Sequence, residues 1–135
     1  VRPLLTRRSV SHASDHKLTR WRRTAIEAAK QSGQCWIPEM LPPATLKDVL
    51  AGLGGVRVLA LDRDGASRPD FGGPTSILVL IGPEGGWAPE ELDEIRAAGA
   101  GFLRLGPNTL RIETAAIAVA ALAHAAAQNF PSLAS

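Results

Sequence analysis

Two short stretches of this chain hold residue types suited to handling a small polar ligand. They are Gly82-Pro83-Glu84-Gly85-Gly86 and Gly106-Pro107-Asn108-Thr109-Leu110-Arg111. Glycine has no side chain, so its backbone N–H and C=O groups can approach a ligand closely and adopt positive φ. Each stretch also carries one charged group. A carboxylate such as Glu84 can accept a proton or brace a turn, and a guanidinium such as Arg111 can hold a phosphate or a developing negative charge. Neither stretch is a known phosphate fingerprint. Residues 82–87 lack the order G-x-G-x-x-G, and no G-x-x-x-x-G-K-[ST] occurs, which argues against NAD and nucleoside triphosphates. Taken alone, a glycine-rich turn after a strand is more often a tight connection than a site.

The elements around these stretches give them a place. Ile77 to Ile81 is apolar on both faces, the pattern of a central strand covered by helices on each side, and it runs into the first glycine turn. Pro89 fits the first position of a following helix, with Glu90 and Glu91 at its positive end and Leu92, Ile95 and Ala98 as its buried stripe up to Gly99. Phe102 to Leu105 predicts a last strand, Gly106 to Leu110 a second loop, and Glu113 to Gln128 a helix that is apolar almost all round, which demands burial in the core or in a subunit interface.

Upstream, Val1 to Leu5 predicts a first strand. Leu18, Trp21, Ala25, Ala28 and Ala29 recur at helical spacing until Gly33. Cys35 to Ile37 reads as a short strand, Leu46 to Ala51 as a brief helix, Val56 to Leu61 as a strand, and Asp62 to Pro74 as a polar loop. Strands alternating with helices predict an α/β domain with a largely parallel sheet, and ligands of such sheets sit beyond the carboxyl ends of the strands, where both glycine stretches fall.

The 135 residues, 45% of them hydrophobic, suffice for one domain with a sizeable core. The longest apolar run, Ala115 to Ala123, is far too short to span a bilayer. The opening Val1-Arg2-Pro3 reads as the start of a piece of something longer. A single cysteine, Cys35, excludes an internal disulfide and offers no zinc-ligand cluster, which fits a cytoplasmic setting with no metal. His12, His16 and His124 show no spacing to Ser, Cys or carboxylates that would suggest a triad. The net charge of +2 is uneven: Arg2, Arg7, Arg8, Lys17, Arg20, Arg22 and Arg23 face only Asp15 within the first 23 residues. Such a cluster either contacts nucleic-acid phosphates or is a solvated helix face.

Three ordered blocks go further. I-G-P-E-G-G-W-x-x-E-E-L at Ile81–Leu92 and L-G-P-N-T-L-R-I-E-T-A-A at Leu105–Ala116 resemble the 16S ribosomal RNA uridine-N3 methyltransferases, the small subunit methyltransferase E family of the knotted SPOUT class. T-R-R-S-V at Thr6–Val10, R-W-R-R-T-A-I-E-A-A-K-Q-S-G at Arg20–Gly33 and I-P-E at Ile37–Glu39 are similar to it as well. They are spread from Thr6 to Ala116, so the resemblance spans nearly all of the chain. The resemblance implies a trefoil-knotted α/β methyltransferase domain, normally preceded by an RNA-binding barrel of the PUA type and by a first strand and helix that this sequence lacks. It implies S-adenosylmethionine as cofactor, 16S ribosomal RNA in the small ribosomal subunit as substrate, and a homodimer, with no membrane.

On the same resemblance Leu80, Ile81, Gly82, Pro83, Glu84, Gly85, Gly86, Leu105, Gly106, Asn108, Leu110 and Arg111 would bind the cofactor. Glu84 would orient the base or accept its proton, or else brace its loop. Arg111 would hold a phosphate or the charge developing on uracil, or else pair with Glu113 or Glu84. Arg7, Arg8, Arg20, Arg22 and Arg23 would contact RNA. Glu113 caps the last helix in this reading, Trp21 and Trp36 belong to the core or an interface, and Trp87 either packs beside its loop or stacks on a base. Asn108 stands where the family usually has Arg, Thr109 where it has an aliphatic residue, Ile112 where it has Thr, and Gln34 where it often has Arg. A methyltransferase of another RNA and a non-catalytic RNA-binding module are the alternative readings.

Overall fold

A computed structural model describes residues 1–9, 15–66, 71 and 76–128. Val10 and His12, and much of the loop expected between Asp62 and Pro74, lie outside the described residues. The elements are β1 (Leu4–Leu5), α1 (Asp15–Ser32), β2 (Ala44–Thr45), α2 (Leu46–Ala51), β3 (Arg57–Ala66), β4 (Ile77–Leu80), α3 (Pro89–Ala97), β5 (Gly101–Leu103) and α4 (Ile112–Gln128). β1 and β2 form a small parallel pair, and the main sheet has the order β4-β3-β5, again with parallel pairings. The domain is therefore α/β with parallel sheets, as the alternation of patterns predicts.

Two apolar clusters cover the two faces of the main sheet. Val58, Ala60 and Leu80 point to one face and pack with Leu46, Trp87 and Ile95, which brings α2 and α3 onto that side. Leu59 and Leu103 point to the other face and join Val119 of α4 and Phe71. Successive residues of one strand serve opposite layers, which is why the strands read as unbroken apolar runs. Each fully buried side chain of the size of Leu80, Ile95 or Leu103 contributes about 2 kcal/mol to folding.

Local chemistry sets the helix ends. Thr45 caps α2, its hydroxyl accepting from the Asp48 N–H at 3.1 Å and donating to the Asp48 carboxylate at 2.6 Å. α3 ends at Gly99, whose N–H donates to the Arg96 carbonyl at 2.9 Å and whose φ of 72° turns the chain so that the Ala100 N–H reaches the Ile95 carbonyl at 3.3 Å.

Several expectations need correction. β4 is the edge strand of the described sheet and β3 the central one. Apolarity on both faces of Ile77–Leu80 reports burial by layers above and below, and says nothing of neighbours in the hydrogen-bonding direction. β3 continues through Asp62, Arg63, Asp64 and Gly65 to Ala66, where a polar loop was expected. β5 holds it there: Leu103 pairs with both Leu61 and Ala66 across a register shift, and the Arg104 N–H donates to the Ala66 carbonyl at 2.9 Å. Cys35–Ile37 forms no strand, and Trp36 lies 72% exposed, outside the core. In α1 only Ala29 is buried, Trp21 is half-buried and Ala28 is exposed. In α4 only Ala115 and Val119 are buried, while Ile117 is 72% exposed.

The close approach of β3 and β5 requires Gly65. A Cβ there would lie 2.6 Å from the Leu103 backbone nitrogen and carbonyl carbon. Backbone cannot rotate away as a side chain can, so Gly65→Ala is expected to cost about 3 kcal/mol, the upper end of overpacking penalties. An unchanged midpoint in urea denaturation would contradict this account of the sheet.

Candidate active site

The carboxyl ends of β3, β4 and β5 open into one cavity of about 380 Å³. Its first wall is the loop after β4, from Ile81 to Trp87. The second is Leu103 at the end of β5 and the loop that follows it, Arg104 to Leu110, with Ile112 and Ala115 of α4 behind it. The third is the β3 extension, Leu61 to Asp64. Sequence reading found the first two walls and missed the third, because Asp62-Arg63-Asp64-Gly65 has the composition of a turn and becomes strand only by pairing with β5.

Trp87 joins two of these walls. It is 4% exposed, and its indole Nε1 donates to the Leu61 carbonyl at 2.9 Å. The ring lies directly against Gly82, where a Cβ would come within 2.9 Å of Cε2. Of the two roles considered for Trp87, packing beside the loop is the one observed; a ring so buried has no face left for a base. The loop then turns through Glu84 and Gly85, the Gly86 N–H donating to the Pro83 carbonyl at 2.8 Å, and Gly86 leaves the turn with a φ of 71°.

The first loop is also gripped from outside. The Arg8 guanidinium Nη1 donates to the Gly85 carbonyl at 2.7 Å. Glu91, in the first turn of α3, is 6% exposed. One of its oxygens accepts from the Arg7 N–H at 2.9 Å and the other from the Ala88 N–H at 2.8 Å. Ala88 is the N-cap and has no side-chain acceptor, so Glu91 supplies the half of a capping box that α3 has. Sequence reading placed Glu91 only as a charge at a helix end. The spacing of Ala88 to Glu91 was visible, but its reach to Arg7 was not.

The second loop is tied to the third wall by Arg63, whose Nη2 donates to the Thr109 hydroxyl at 3.3 Å. Asp62 in turn accepts from the Asp64 N–H at 2.9 Å, which orders the strand end.

Of the expected cofactor residues, Ile81, Gly82, Pro83, Glu84, Gly85, Gly86, Leu105, Gly106, Asn108 and Leu110 line the cavity together. Leu80 does not; it is 1% exposed and belongs to the core beneath. Arg111 does not line it either. It is exposed and precedes α4, its carbonyl accepting from the Ala115 N–H at 2.8 Å. Among the described residues it pairs with neither Glu84 nor Glu113, and the Glu84 carboxylate, also exposed, makes no bracing hydrogen bond. Arg20, Arg22 and Arg23 lie exposed along α1. No group of three His, Cys, Asp or Glu side chains among the described residues could hold a metal, and no described helix is long and apolar enough to cross a membrane.

A parallel α/β sheet whose strand ends open into a glycine-walled cavity defines a domain built to hold a small organic ligand. The chain belongs to the RNA methyltransferase domain family, whose model matches residues 1–124. It is 36% identical over 121 residues to the ribosomal RNA small subunit methyltransferase E of Synechocystis, covering 84% of this chain and 40% of that protein. It is 38% identical over 113 residues to the enzyme of the same name from Mycobacterium bovis, covering 76% and 42%.

Among solved structures, a Legionella pneumophila protein described as a methyltransferase, with its cofactor SAM bound, superposes with a TM-score of 0.81 at 31% identity, over 93% of this chain and 54% of that one. The Neisseria gonorrhoeae ribosomal RNA small subunit methyltransferase E, bound to S-adenosyl methionine, superposes with a TM-score of 0.80 at 29% identity over the same shares. The chain thus spans about half the length of the relatives it matches.

Gly82→Ala tests the seating of the first loop. The new methyl group must push the indole off Leu61, so a loss of about 1–2 kcal/mol is expected, smaller than at Gly65 because a side chain can yield. The same variant should expose Trp87 to acrylamide quenching. Wild-type stability and quenching together would show that Gly82 does not seat the ring.

Proposed function

We propose that this chain is the S-adenosylmethionine-binding, catalytic part of an enzyme that methylates N3 of a uridine in 16S ribosomal RNA of the small subunit. The observation that carries this reading is the single cavity that gathers ten of the twelve residues expected to bind the cofactor. Its volume suits a ligand of that size. Ile81, Leu105 and Leu110 offer apolar walls for an adenine ring, and the glycines of both loops offer backbone groups for ribose and the amino-acid end. Asp62, Asp64 and Glu84 line the same cavity alongside Arg63 and Arg104, and in this reading the carboxylates complement the positive charges of a sulfonium and an ammonium group. When bound, S-adenosylmethionine supplies an electrophilic methyl group.

The work of the protein is then positioning and proton handling. In this reading Glu84, exposed on the first loop, takes the N3 proton of uridine as the nitrogen becomes nucleophilic. Arg111 stands outside the cavity wall at the start of α4, so it serves the RNA rather than the cofactor, holding a phosphate or the negative charge that develops on uracil. The exposed Arg20, Arg22 and Arg23 of α1, with Arg7, supply sequence-independent attraction to RNA phosphates. The family resemblance further carries a threaded C-terminal helix and a cytoplasmic setting into this reading.

We also infer a homodimer. α4 leaves Ile112, Ile117 and Leu122 exposed, large apolar side chains that a second copy would cover. Ile117→Glu should then shift the mass measured by light scattering from dimer to monomer. A wild-type chain that is monomeric at micromolar concentration would remove this element.

The activity is tested by incubating the chain with S-adenosylmethionine and 30S subunits and identifying methylated nucleosides by mass. N3-methyluridine is the expected product, and Arg111→Ala should lower its yield by about 100-fold or more while leaving thermal stability unchanged. Another methylated nucleoside would favour the alternative target. Undiminished transfer by the variant would remove Arg111 from the site.

A further inference from the structure

The turn Thr6–Ser9 and the first glycine loop are joined at two points. The turn is closed on itself, the Ser9 N–H donating to the Thr6 carbonyl at 3.2 Å and the two hydroxyls lying 2.6 Å apart. From it Arg8 reaches across 77 positions of sequence to the Gly85 carbonyl at 2.7 Å. The aliphatic stem of Arg8 covers the loop as well: a Cβ built on Gly85 would sit 3.6 Å from both Cβ and Cδ of Arg8. One residue earlier, the Arg7 N–H is held by Glu91, which holds Ala88 with its other oxygen. The loop is thus fastened at Gly85 by Arg8 and at its exit by Glu91, and both fastenings end on the same turn.

A loop of this composition needs such support. Gly82, Gly85 and Gly86 lose more conformational freedom on ordering than other residues, and the loop's own backbone supplies one hydrogen bond, from Gly86 to Pro83. Ordering that is complete before a ligand arrives is not charged against binding. Arg8 is basic and exposed, which by composition alone assigns it to RNA, yet its guanidinium is committed to a backbone carbonyl of the cavity wall.

We propose that Arg8 and Glu91 are positioning residues of the site, and that the Thr6–Ser9 turn is a strut holding the first glycine loop in the shape it presents to the cavity. The link from loop shape to cofactor affinity rests on the function proposed above.

The test combines amide hydrogen exchange with calorimetric titration of S-adenosylhomocysteine for the wild type, Arg8→Ala, Arg8→Lys and Glu91→Gln. In Arg8→Ala the amides of Gly85 to Trp87 should exchange about tenfold faster, while those of the main sheet keep their protection. S-adenosylhomocysteine should bind roughly tenfold more weakly, the equivalent of one lost charged hydrogen bond. Arg8→Lys, which keeps a cationic donor, should recover most of both. Glu91→Gln leaves one carbonyl acceptor and should speed exchange at the loop together with either Arg7 or Ala88.

Loop exchange identical to wild type in both Arg8→Ala and Glu91→Gln would overturn the strut, whatever the ligand does. Faster exchange spread over the whole sheet would also overturn it, as the sign of a general structural role. A wild-type chain that gives no heat with S-adenosylhomocysteine, while its loop exchange responds as described, would leave the strut standing and count against the proposed function instead.

Discussion

The indole of Trp87 is the contact on which the shape of the site depends. It lies in the space that Gly82 leaves by having no side chain, and its N–H satisfies the Leu61 carbonyl where the regular pairing of β3 with β5 slips. Removing that donor would leave a polar group unpaired at a part-buried position, a cost of about 1–3 kcal/mol. One ring therefore ties the loop after β4 to the strand end of β3. Because Trp87 also belongs to the apolar cluster with Val58, Leu80 and Ile95, the position of the loop is coupled to the core.

The remaining walls follow from that anchor and from the sheet. Parallel strands run to the same side, so the C-terminal half of β3 and the loops after β4 and β5 meet there without further provision. Arg63 closes the gap between the β3 end and the second loop through Thr109. A hydrocarbon at 109 could not accept that hydrogen bond. Asn108 beside Thr109 lines the same cavity with a neutral amide.

Much of this was legible in the sequence, for reasons that differ between elements. α2 was expected around Leu46 to Ala51 and lies there, its start fixed by a local cap between Thr45 and Asp48. The start of α3 was likewise local, at Pro89, and its end was marked by Gly99. Both glycine loops stood out because their composition is unusual and follows apolar runs. What escaped depends on distant partners. The polar tail of β3 is strand only through β5, Glu91 is buried only through Arg7, and β4 is an edge only by the order of the sheet. Trp36 and most of α4, expected in the core or in an interface, are uncovered within this chain, since apolar type signals a preference for burial and cannot say what provides it.

The central claim is that the three strand ends form one cofactor pocket, and the most direct measurement is a titration of the isotopically labelled chain with S-adenosylhomocysteine followed by amide chemical shifts. Saturable shifts at Gly82–Gly86, at Gly106–Leu110 and at Asp62–Asp64, with the exposed face of α1 unperturbed, are the predicted result. Shifts confined to other surfaces, or none from a folded chain, would contradict the account.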